Sequence, residues 1–343
     1  MANILVVTRD IAEYLVYSVL VTSLRGRGHT VTVIAEGQSF AKWLEVGERL
    51  YVSSKRPWTV FEQLEPSLVL TGLGAPIRLG EKFGLAANKL SIKLGYVTDI
   101  WGAERRSSAV PNFICTLDSF GKRQIQEYAP YYQRMPRIYI TGSPAMDRLS
   151  LDVKHPGGIW EEAGDYKAVV LLVGQDEATI PAIKGLVKSL NDWGESYLLI
   201  PCVHPKRPDL SDLWEGILAE ATGFVLRSPQ LTTQQLMKVA THTVSVYSNA
   251  LVEAATLGSL PISWVSPIGR QKMRKSLGLD QFPLVDCGCA IEVETPAQFR
   301  GAVLDLSPAA YAAKVHRCRS VCRCDGDNTK RVVAAIEREL VIP

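Results

Sequence analysis

Short runs of β-branched and aliphatic residues alternate along this chain with longer stretches in which apolar residues recur every three or four positions. Ile4 to Val7 reads as a strand and Ile11 to Leu24 as a helix that ends at the basic, glycine-containing Arg25-Gly26-Arg27-Gly28-His29, with the next strand at Thr30 to Ala35. Further strands are predicted at Leu68 to Thr71, Gly95 to Thr98, Phe113 to Leu117 and Arg137 to Thr141, with helices over Glu81 to Leu94 and Ser119 to Glu127. Gly142-Ser143-Pro144 breaks the pattern, and Leu151 to Asp165, rich in Pro, Gly, Glu and Asp, reads as a linker. A second series begins at Lys167. Its strands are Ala168 to Val173, Tyr197 to Val203, Phe224 to Leu226, Thr243 to Tyr247 and Pro261 to Val265, separated by helices such as Ile180 to Asn191 and Thr232 to Val239. Strand, helix, strand order of this kind specifies a parallel, doubly wound α/β sheet, here in two successive domains. A last helix near Thr329 to Leu340 is placed to return to the first of them.

Composition supports the two-domain reading. With 343 residues, 47% of them hydrophobic, the chain can bury two sizeable cores. A net charge of +3 makes no electrostatic case for nucleic acid, while an acidic substrate or peripheral contact with an anionic membrane surface stays compatible with it. No apolar run reaches the roughly 18 residues that span a bilayer, and the opening MANILVVTRD enters a strand without a signal-peptide layout, so a cytoplasmic protein is expected. Seven cysteines in a reducing compartment should then be free thiols or metal ligands. Cys287 and Cys289 form a C-x-C pair, and Cys318, Cys322 and Cys324 follow, with C-x3-C able to put two thiols on one helix face. These spacings fit neither a zinc ribbon nor a ferredoxin run, which favours buried or incidental thiols over a metal site.

The residues able to carry chemistry gather where strands end. In Val244 to Ile262 a strand runs into Ser248-Asn249-Ala250 and then a helix, a layout expected to leave several backbone N–H groups pointing at one spot with the helix dipole behind them. Such a turn suits a diphosphate, and Glu253, one turn into the helix, suits neutral donors such as ribose hydroxyls; an ordinary strand-to-helix turn is the plain alternative. Gly174-Gln175-Asp176-Glu177 follows the second domain's first strand, where Gly174 permits close approach of a ligand. His204-Pro205-Lys206-Arg207 ends the next strand with an imidazole and cations suited to phosphate. Arg270, Lys272, Arg274 and Lys275 form a basic run, read chiefly as a solvated face. In the first domain Thr8-Arg9-Asp10 stands where G-x-G-x-x-G would mark a dinucleotide site, so no such cofactor is indicated and Arg9 becomes a phosphate clamp. Asp99, beyond a strand end, is the candidate base or else an N-cap. Thr8, Glu13 and Arg105-Arg106 are secondary candidates, and Trp101 and Tyr247 are read as stacking groups or, more simply, core edge.

These pieces together resemble the two-Rossmann-domain GT-B superfamily, which contains nucleotide-sugar glycosyltransferases and UDP-N-acetylglucosamine 2-epimerases. Thr8-Arg9-x-x-x-Glu13, Gly28-His29 and Gly37-Gln38 look like the epimerase beginning. Ile140-Thr141-Gly142-Ser143-Pro144-x-x-Asp147 looks like the segment closing the first domain. His204-Pro205 is similar to the His motif of epimerases and also to the His-Pro motif of glycerophosphate and sialic-acid-type transferases, and Ser248 to Gly258 with Pro261 is similar to the superfamily's S-G-G-x-x-x-E-A-x-x-x-G-x-P, with Asn249 and Ala250 in place of glycines. The resemblance implies a GT-B architecture facing a cleft: residues 1–150 an acceptor-side domain, 153–305 a nucleotide-sugar-binding domain, and 306–343 a helical segment crossing back. It implies that Ser248, Asn249 and Ala250 meet the diphosphate, Glu253 the ribose and His204 the phosphate region; Arg9, Gly174, Gln175 and Lys206, read from their own positions, are the remaining donor-site candidates.

Where epimerases carry H-x-E-A-G and P-E-E, this chain reads Tyr96-Val97-Thr98-Asp99-Ile100-Trp101-Gly102. The missing acids favour transfer of a sugar or polyol-phosphate from a nucleotide-activated donor, UDP-linked by preference, to an acceptor hydroxyl, with Asp99 as base. A divalent metal is not expected, because the D-x-D carboxylate pair that other transferase folds use to hold one has no evident counterpart here. An epimerase-like isomerase and a non-catalytic nucleotide-sugar-binding subunit are the rival readings. The acceptor, whether glycan, lipid-linked or small-molecule, and any self-association stay open.

Overall fold

The computed structural model describes residues 1–51, 56–74, 78–128, 132, 134–152, 166–193, 197–204, 207–227 and 231–342. The chain divides into two compact units: Met1–Arg148 with Arg323–Pro343, and Leu149–Cys322.

Unit 1 runs β1 (Asn3–Thr8), α1 (Ile11–Gly26), β2 (Thr30–Ala35), α2 (Gly37–Glu45), α3 (Pro57–Leu64), β3 (Leu68–Thr71), α4 (Arg78–Lys89), β4 (Lys93–Val97), β5 (Phe113–Thr116), α5 (Ser119–Tyr128), β6 (Arg137–Ile140) and the start of α6 (Pro144–Asp152), whose last residues fall in unit 2. Its six strands are parallel, in the order β2-β1-β3-β4-β5-β6. Unit 2 runs β7 (Ala168–Val173), α7 (Thr179–Asn191), β8 (Tyr197–Cys202), α8 (Ser211–Leu218), β9 (Phe224–Val225), α9 (Thr233–Met237), β10 (His242–Ser245), α10 (Ala250–Leu257), β11 (Leu260–Trp264), α11 (Pro267–Leu277), α12 (Pro283–Asp286), β12 (Ile291–Val293), α13 (Pro296–Leu304) and α14 (Pro308–Val321). This sheet is also parallel, ordered β12-β11-β10-β7-β8-β9. A final helix, α15 (Asn328–Val341), belongs to unit 1, so residues 306–343 divide between the units.

The continuous apolar strands are explained by cover on both faces. In β7, Ala168, Val170 and Leu172 face one core with Ile183, Leu186, Trp214 and Trp264, while Val169 and Leu171 face another with Leu236, Met237 and Ala254. The helix expected over Glu81 to Leu94 is corrected: α4 stops at Lys89. Ser91 takes a left-handed φ of 57°, and the Ile92 N–H closes the helix end on the Ala87 carbonyl at 2.9 Å. The expected linker begins inside α6, which extends to Asp152, and residues 153–165 lie outside the described residues.

Helix α15 completes the core of unit 1. Val332 and Ile336 are fully buried among Val33, Leu20 and Phe113, each worth roughly 1.5–3 kcal/mol of apolar burial. Its start is held by the Thr141-Gly142-Ser143-Pro144-x-x-Asp147 segment. Asp147 Oδ1 accepts from the Asn328 N–H (3.2 Å), and Oδ2 from both the Thr329 N–H and hydroxyl (2.7 Å each). The positional cap, Asp327, makes no side-chain cap bond of its own. A carboxylate from another helix thus supplies the capping charge at the positive end of the helix dipole. Gly142 is required here, because its φ is +74° and a Cβ would lie 1.9 Å from Asn328 Oδ1. Near the other end Glu339, fully buried, accepts from Arg137 Nε (2.5 Å) and the Tyr139 hydroxyl (2.6 Å); burial opposes its charge, but these bonds hold its pKa below the ordinary value.

Asp147→Ala should lower the stability of unit 1 by about 1–2 kcal/mol, the usual cost of a lost cap, and Gly142→Ala should cost more. Urea unfolding checks both, as a lower midpoint at unchanged slope; an unaltered midpoint for Asp147→Ala would show that this carboxylate caps nothing of consequence.

Candidate functional site

In unit 2 the strand order reverses at β7, which lies between β8 and β10. Ligands of open parallel sheets bind at the carboxyl ends of the strands at such a point. Gln175, just past β7, closes it with two bonds: its side-chain oxygen accepts from the Tyr247 N–H beyond β10 (2.9 Å), and its N–H donates to Thr179 Oγ1 (3.0 Å). Ser245 Oγ donates to the Val173 carbonyl at 2.8 Å and ties the same two strand ends together.

The turn after β10 differs from the expectation of unpaired amides. Asn249 is in ordinary right-handed helical conformation (φ −56°, ψ −24°), so α10 begins tightly. Ala250 N–H donates to Ser248 Oγ (3.2 Å), Leu251 N–H to the Ser248 carbonyl (3.0 Å), and the Val252 and Glu253 N–H groups to the Asn249 carbonyl (2.9 and 3.1 Å). The same backbone explains why Asn249 and Ala250 can replace glycines: no positive φ is needed at Asn249. Only the side-chain bond from Ser248 can be exchanged for a ligand without unwinding the helix.

Glu253, half-buried in the first turn of α10, accepts from Gln234 Nε2 of α9 at 3.0 Å. Burial raises its pKa to about 7, with the Gln234 bond opposing. His204, half-buried, lies past the end of β8, and its carbonyl accepts from the Arg207 N–H (2.8 Å); Pro205 and Lys206 lie outside the described residues. Among the described residues, the cations Arg207 and Lys272 are already occupied. Arg207 pairs with Glu177 (2.6 Å) and Asp209 (2.7 Å), and Lys272 with Glu177 (2.7 Å) and Asp176 (2.8 Å). Hydrogen bonds from Lys272 and Arg207 hold the Glu177 carboxyl down at about 2. Arg270 likewise pairs with Glu292 and Glu294, and Arg274 with Asp280, so Arg270, Lys272 and Arg274 of the basic run are ion-paired on α11. Gly174 is also accounted for without a ligand. A Cβ there would lie 2.8 Å from the Trp214 ring and 3.2 Å from the Cys202 carbonyl, so the close approach that demands glycine is made by the protein itself.

In unit 1 the order reverses between β1 and β3, and that point is filled by side chains. Glu13 accepts from the backbone N–H groups of Arg9, Asp10 (3.3 Å) and Gly74 (2.6 Å), while Asp10 caps α1 through the Glu13 N–H (3.0 Å). A Cβ at Gly72 would lie 2.1 Å from the Glu13 carboxyl carbon, and one at Gly74 would lie 1.9 Å from Asp10 Oδ2. Thr8, Glu13 and the two glycines therefore serve loop packing, and Arg9 pairs with Glu36 at 3.2 Å. Asp99, half-buried past β4, has its pKa raised by burial and by Asp10, with Arg106 opposing. Trp101 is core: 2% exposed, its indole N–H on the Asp118 carboxylate at 3.1 Å. Among the sites the sequence reading passed over, Asp118 and Gln234 stand out; the capping box Thr232-x-x-Gln235 marks the start of α9 that presents Gln234.

The late cysteines converge in part. Cys289, Cys318 and Cys322 are buried, with Cys318 Sγ 3.9 Å from Cys322 Sγ and bonded to Cys289 as well, an arrangement that raises the Cys318 pKa strongly. Among the described residues no group of three or more His, Cys, Asp or Glu is arranged to hold a metal ion, and no helix is long and apolar enough to cross a membrane.

Glu13 gives a pH prediction. Its pKa is raised from 4.5 to about 7, by burial first and then by Asp10. A carboxyl raised on folding contributes stability that is complete below pH 4.5 and lost as pH rises to 7. At about 1.4 kcal/mol per pKa unit the loss is of the order of 3 kcal/mol. Glu13→Gln should remove this component, so the difference in unfolding free energy between variant and wild type should change by about that amount between pH 4.5 and 7.5. A constant difference would place the Glu13 proton elsewhere.

The sequence matches no protein-family model and no curated protein. Solved structures do match. MnaA of S. aureus in its UDP co-structure superposes with a TM-score of 0.73 at 14% identity, covering 99% of this chain and 97% of that one. The UDP-GlcNAc 2-epimerase of Neisseria meningitidis bound to UDP-GlcNAc gives a TM-score of 0.69 at 14% identity over 98% and 100%. HepE of Anabaena in complex with UDP and glucose gives 0.64 at 12% identity over 99% and 100%. Likeness at this level of identity is likeness of fold, and it agrees with the two parallel, helix-covered sheets: the chain has the GT-B fold, built of two Rossmann-like domains.

Proposed function

We propose that unit 2 binds a nucleotide-activated sugar, UDP-linked by preference, and that the protein transfers the sugar to an acceptor hydroxyl. The observation that carries this reading is Glu253: a carboxyl in the first turn of α10, beside the strand-order reversal, with Gln234 as its neutral partner. A carboxylate so placed accepts hydrogen bonds from the two ribose hydroxyls. The diphosphate is assigned to the start of α10, with Ser248 releasing Ala250 and Asn249 alongside, and to His204. Gln175 holds the floor of the site through Tyr247. Support comes from the neighbours of the same fold, two of them with UDP and one with UDP-GlcNAc bound.

Arg9 keeps its proposed role toward phosphate only if Glu36 releases it, and Gly174 acts through packing. Asp99 is assigned as the base, because burial and Asp10 raise the proton affinity of its carboxylate and so make it a stronger acceptor of a hydroxyl proton. In the transfer the acceptor oxygen bonds to the anomeric carbon, the bond to the nucleoside diphosphate breaks, and the acceptor proton passes to Asp99. Isomerisation of a UDP-sugar is the second reading, equally supported by the neighbours of matching fold, most of which are UDP-GlcNAc 2-epimerases.

Thermal shift with UDP-, CDP-, GDP- and TDP-sugars should show stabilisation by the UDP class, abolished by Glu253→Ala. The raised pKa of Glu253 adds a sharper test. Ribose hydroxyls donate to the ionised carboxylate, so with a free-state value of about 7 the affinity should rise about tenfold between pH 6 and pH 8. Glu253→Gln should bind more weakly and without that pH dependence. Product formed without any acceptor would replace transfer by isomerisation, binding without turnover would leave a nucleotide-sugar-binding protein, and no stabilisation by any donor would end the proposal.

A further inference from the structure

The loop that follows β4 holds polar atoms that nothing inside the described protein satisfies. Glu104 lies in the 3-10 turn Ala103–Arg106 and is 2% exposed. Its Oε1 is buried without a hydrogen-bond partner, and so are Arg105 Nε and the Tyr132 hydroxyl. The three are neighbours. The charges of Glu104 and Arg105 both act on the Tyr132 hydroxyl, the Tyr132 ring meets Tyr128 edge-on with centroids 5.6 Å apart, and the Arg105 guanidinium lies 4.6 Å over the Tyr128 ring. Tyr96, which also acts on Tyr132, has its own hydroxyl engaged by Ser107 (2.9 Å) and the Ala109 carbonyl (2.8 Å).

A buried polar atom left without a partner costs about 1–3 kcal/mol. Three such atoms in one neighbourhood do not stabilise the fold, and a ligand that answered them would remove that cost; Glu104 and Arg105 lie on the connection from β4 to β5 and Tyr132 on the one from α5 to β6. Their chemistry narrows the ligand. Arg105 Nε–H only donates, the Tyr132 hydroxyl donates or accepts, and Glu104, pushed by burial to about 7, can do either near neutral pH. Adjacent hydroxyls, each both donor and acceptor, match that set. A phosphate or carboxylate offers acceptors alone and would meet the Glu104 oxygen.

We propose that Glu104, Arg105 and Tyr132 form a binding site for the hydroxyl groups of an uncharged sugar or polyol. Its role as the acceptor's seat rests on the transferase reading above; the binding itself does not.

The test is saturation-transfer NMR on the full chain at pH 7.5, with D-glucose, N-acetyl-D-glucosamine, myo-inositol, glycerol and sn-glycerol 3-phosphate as probes, each with and without UDP. At least one uncharged probe should bind wild type, and UDP should not displace it. Glu104→Leu and Tyr132→Phe should each weaken that binding at least tenfold. Both should keep or raise the unfolding midpoint, because each deletes a buried polar atom without an internal partner. Binding unchanged in both variants, no uncharged probe bound, a response to sn-glycerol 3-phosphate alone, displacement by UDP, or a lowered midpoint in both variants would each overturn the site. UDP titrated alone separates the two readings: its failure to bind would sink the donor proposal and leave the polyol result standing.

Discussion

A parallel sheet covered by helices on both faces has no polar side, and that constraint governs this protein. Every residue of β7 up to Leu172 is buried, alternate side chains entering opposite cores, and β3 and β5 are buried throughout. Polar chemistry is thereby expelled from the layers to the loops at the strand ends. The groups with raised carboxyl pKa values follow this rule: Glu13 after β1, Asp99 and Glu104 after β4, Glu253 after β10.

The two units treat the point of strand-order reversal differently. Unit 1 fills it with its own carboxyls, Glu13 answering three backbone N–H groups and leaving no room for a Cβ at Gly72 or Gly74. Unit 2 spans it with one amide side chain, Gln175, and sets an acid against a neutral partner nearby. A carboxyl fully answered by amides is a structural part. A carboxyl with one exchangeable partner, or with an oxygen that has none, is a part available to a ligand, which is why Glu253 and Glu104 carry the functional readings and Glu13 does not.

Local pattern was enough for the strands, since an apolar run bounded by turn residues is a short-range signal; β2, β3 and β7 fall where the sequence places them. Three helices announced themselves by signals that went unread: Ser266-Pro267, Thr295-Pro296 and Ser307-Pro308 each put a capping hydroxyl before a proline in the first turn. Other features were beyond local reading. That Gly174 serves Trp214, or that Arg207 and Lys272 are consumed by Glu177, depends on residues far apart in sequence that meet only when the sheet closes. The conformation of Asn249 was ambiguous for a different reason: a glycine-like position in a motif implies positive φ, and only the backbone shows that none is used.

The capped return of α15 has a consequence for biosynthesis. The first 148 residues emerge from the ribosome with the apolar face of α1 and β5 bare, and the helix that covers it follows only after unit 2 has been made. Unit 2, continuous in sequence, can close as soon as it is free of the exit tunnel, whereas unit 1 must wait with an exposed face that chaperones or aggregation can claim. The order of synthesis is therefore the reverse of the order of completion, and Asp147 is a docking point held ready for a helix that arrives last.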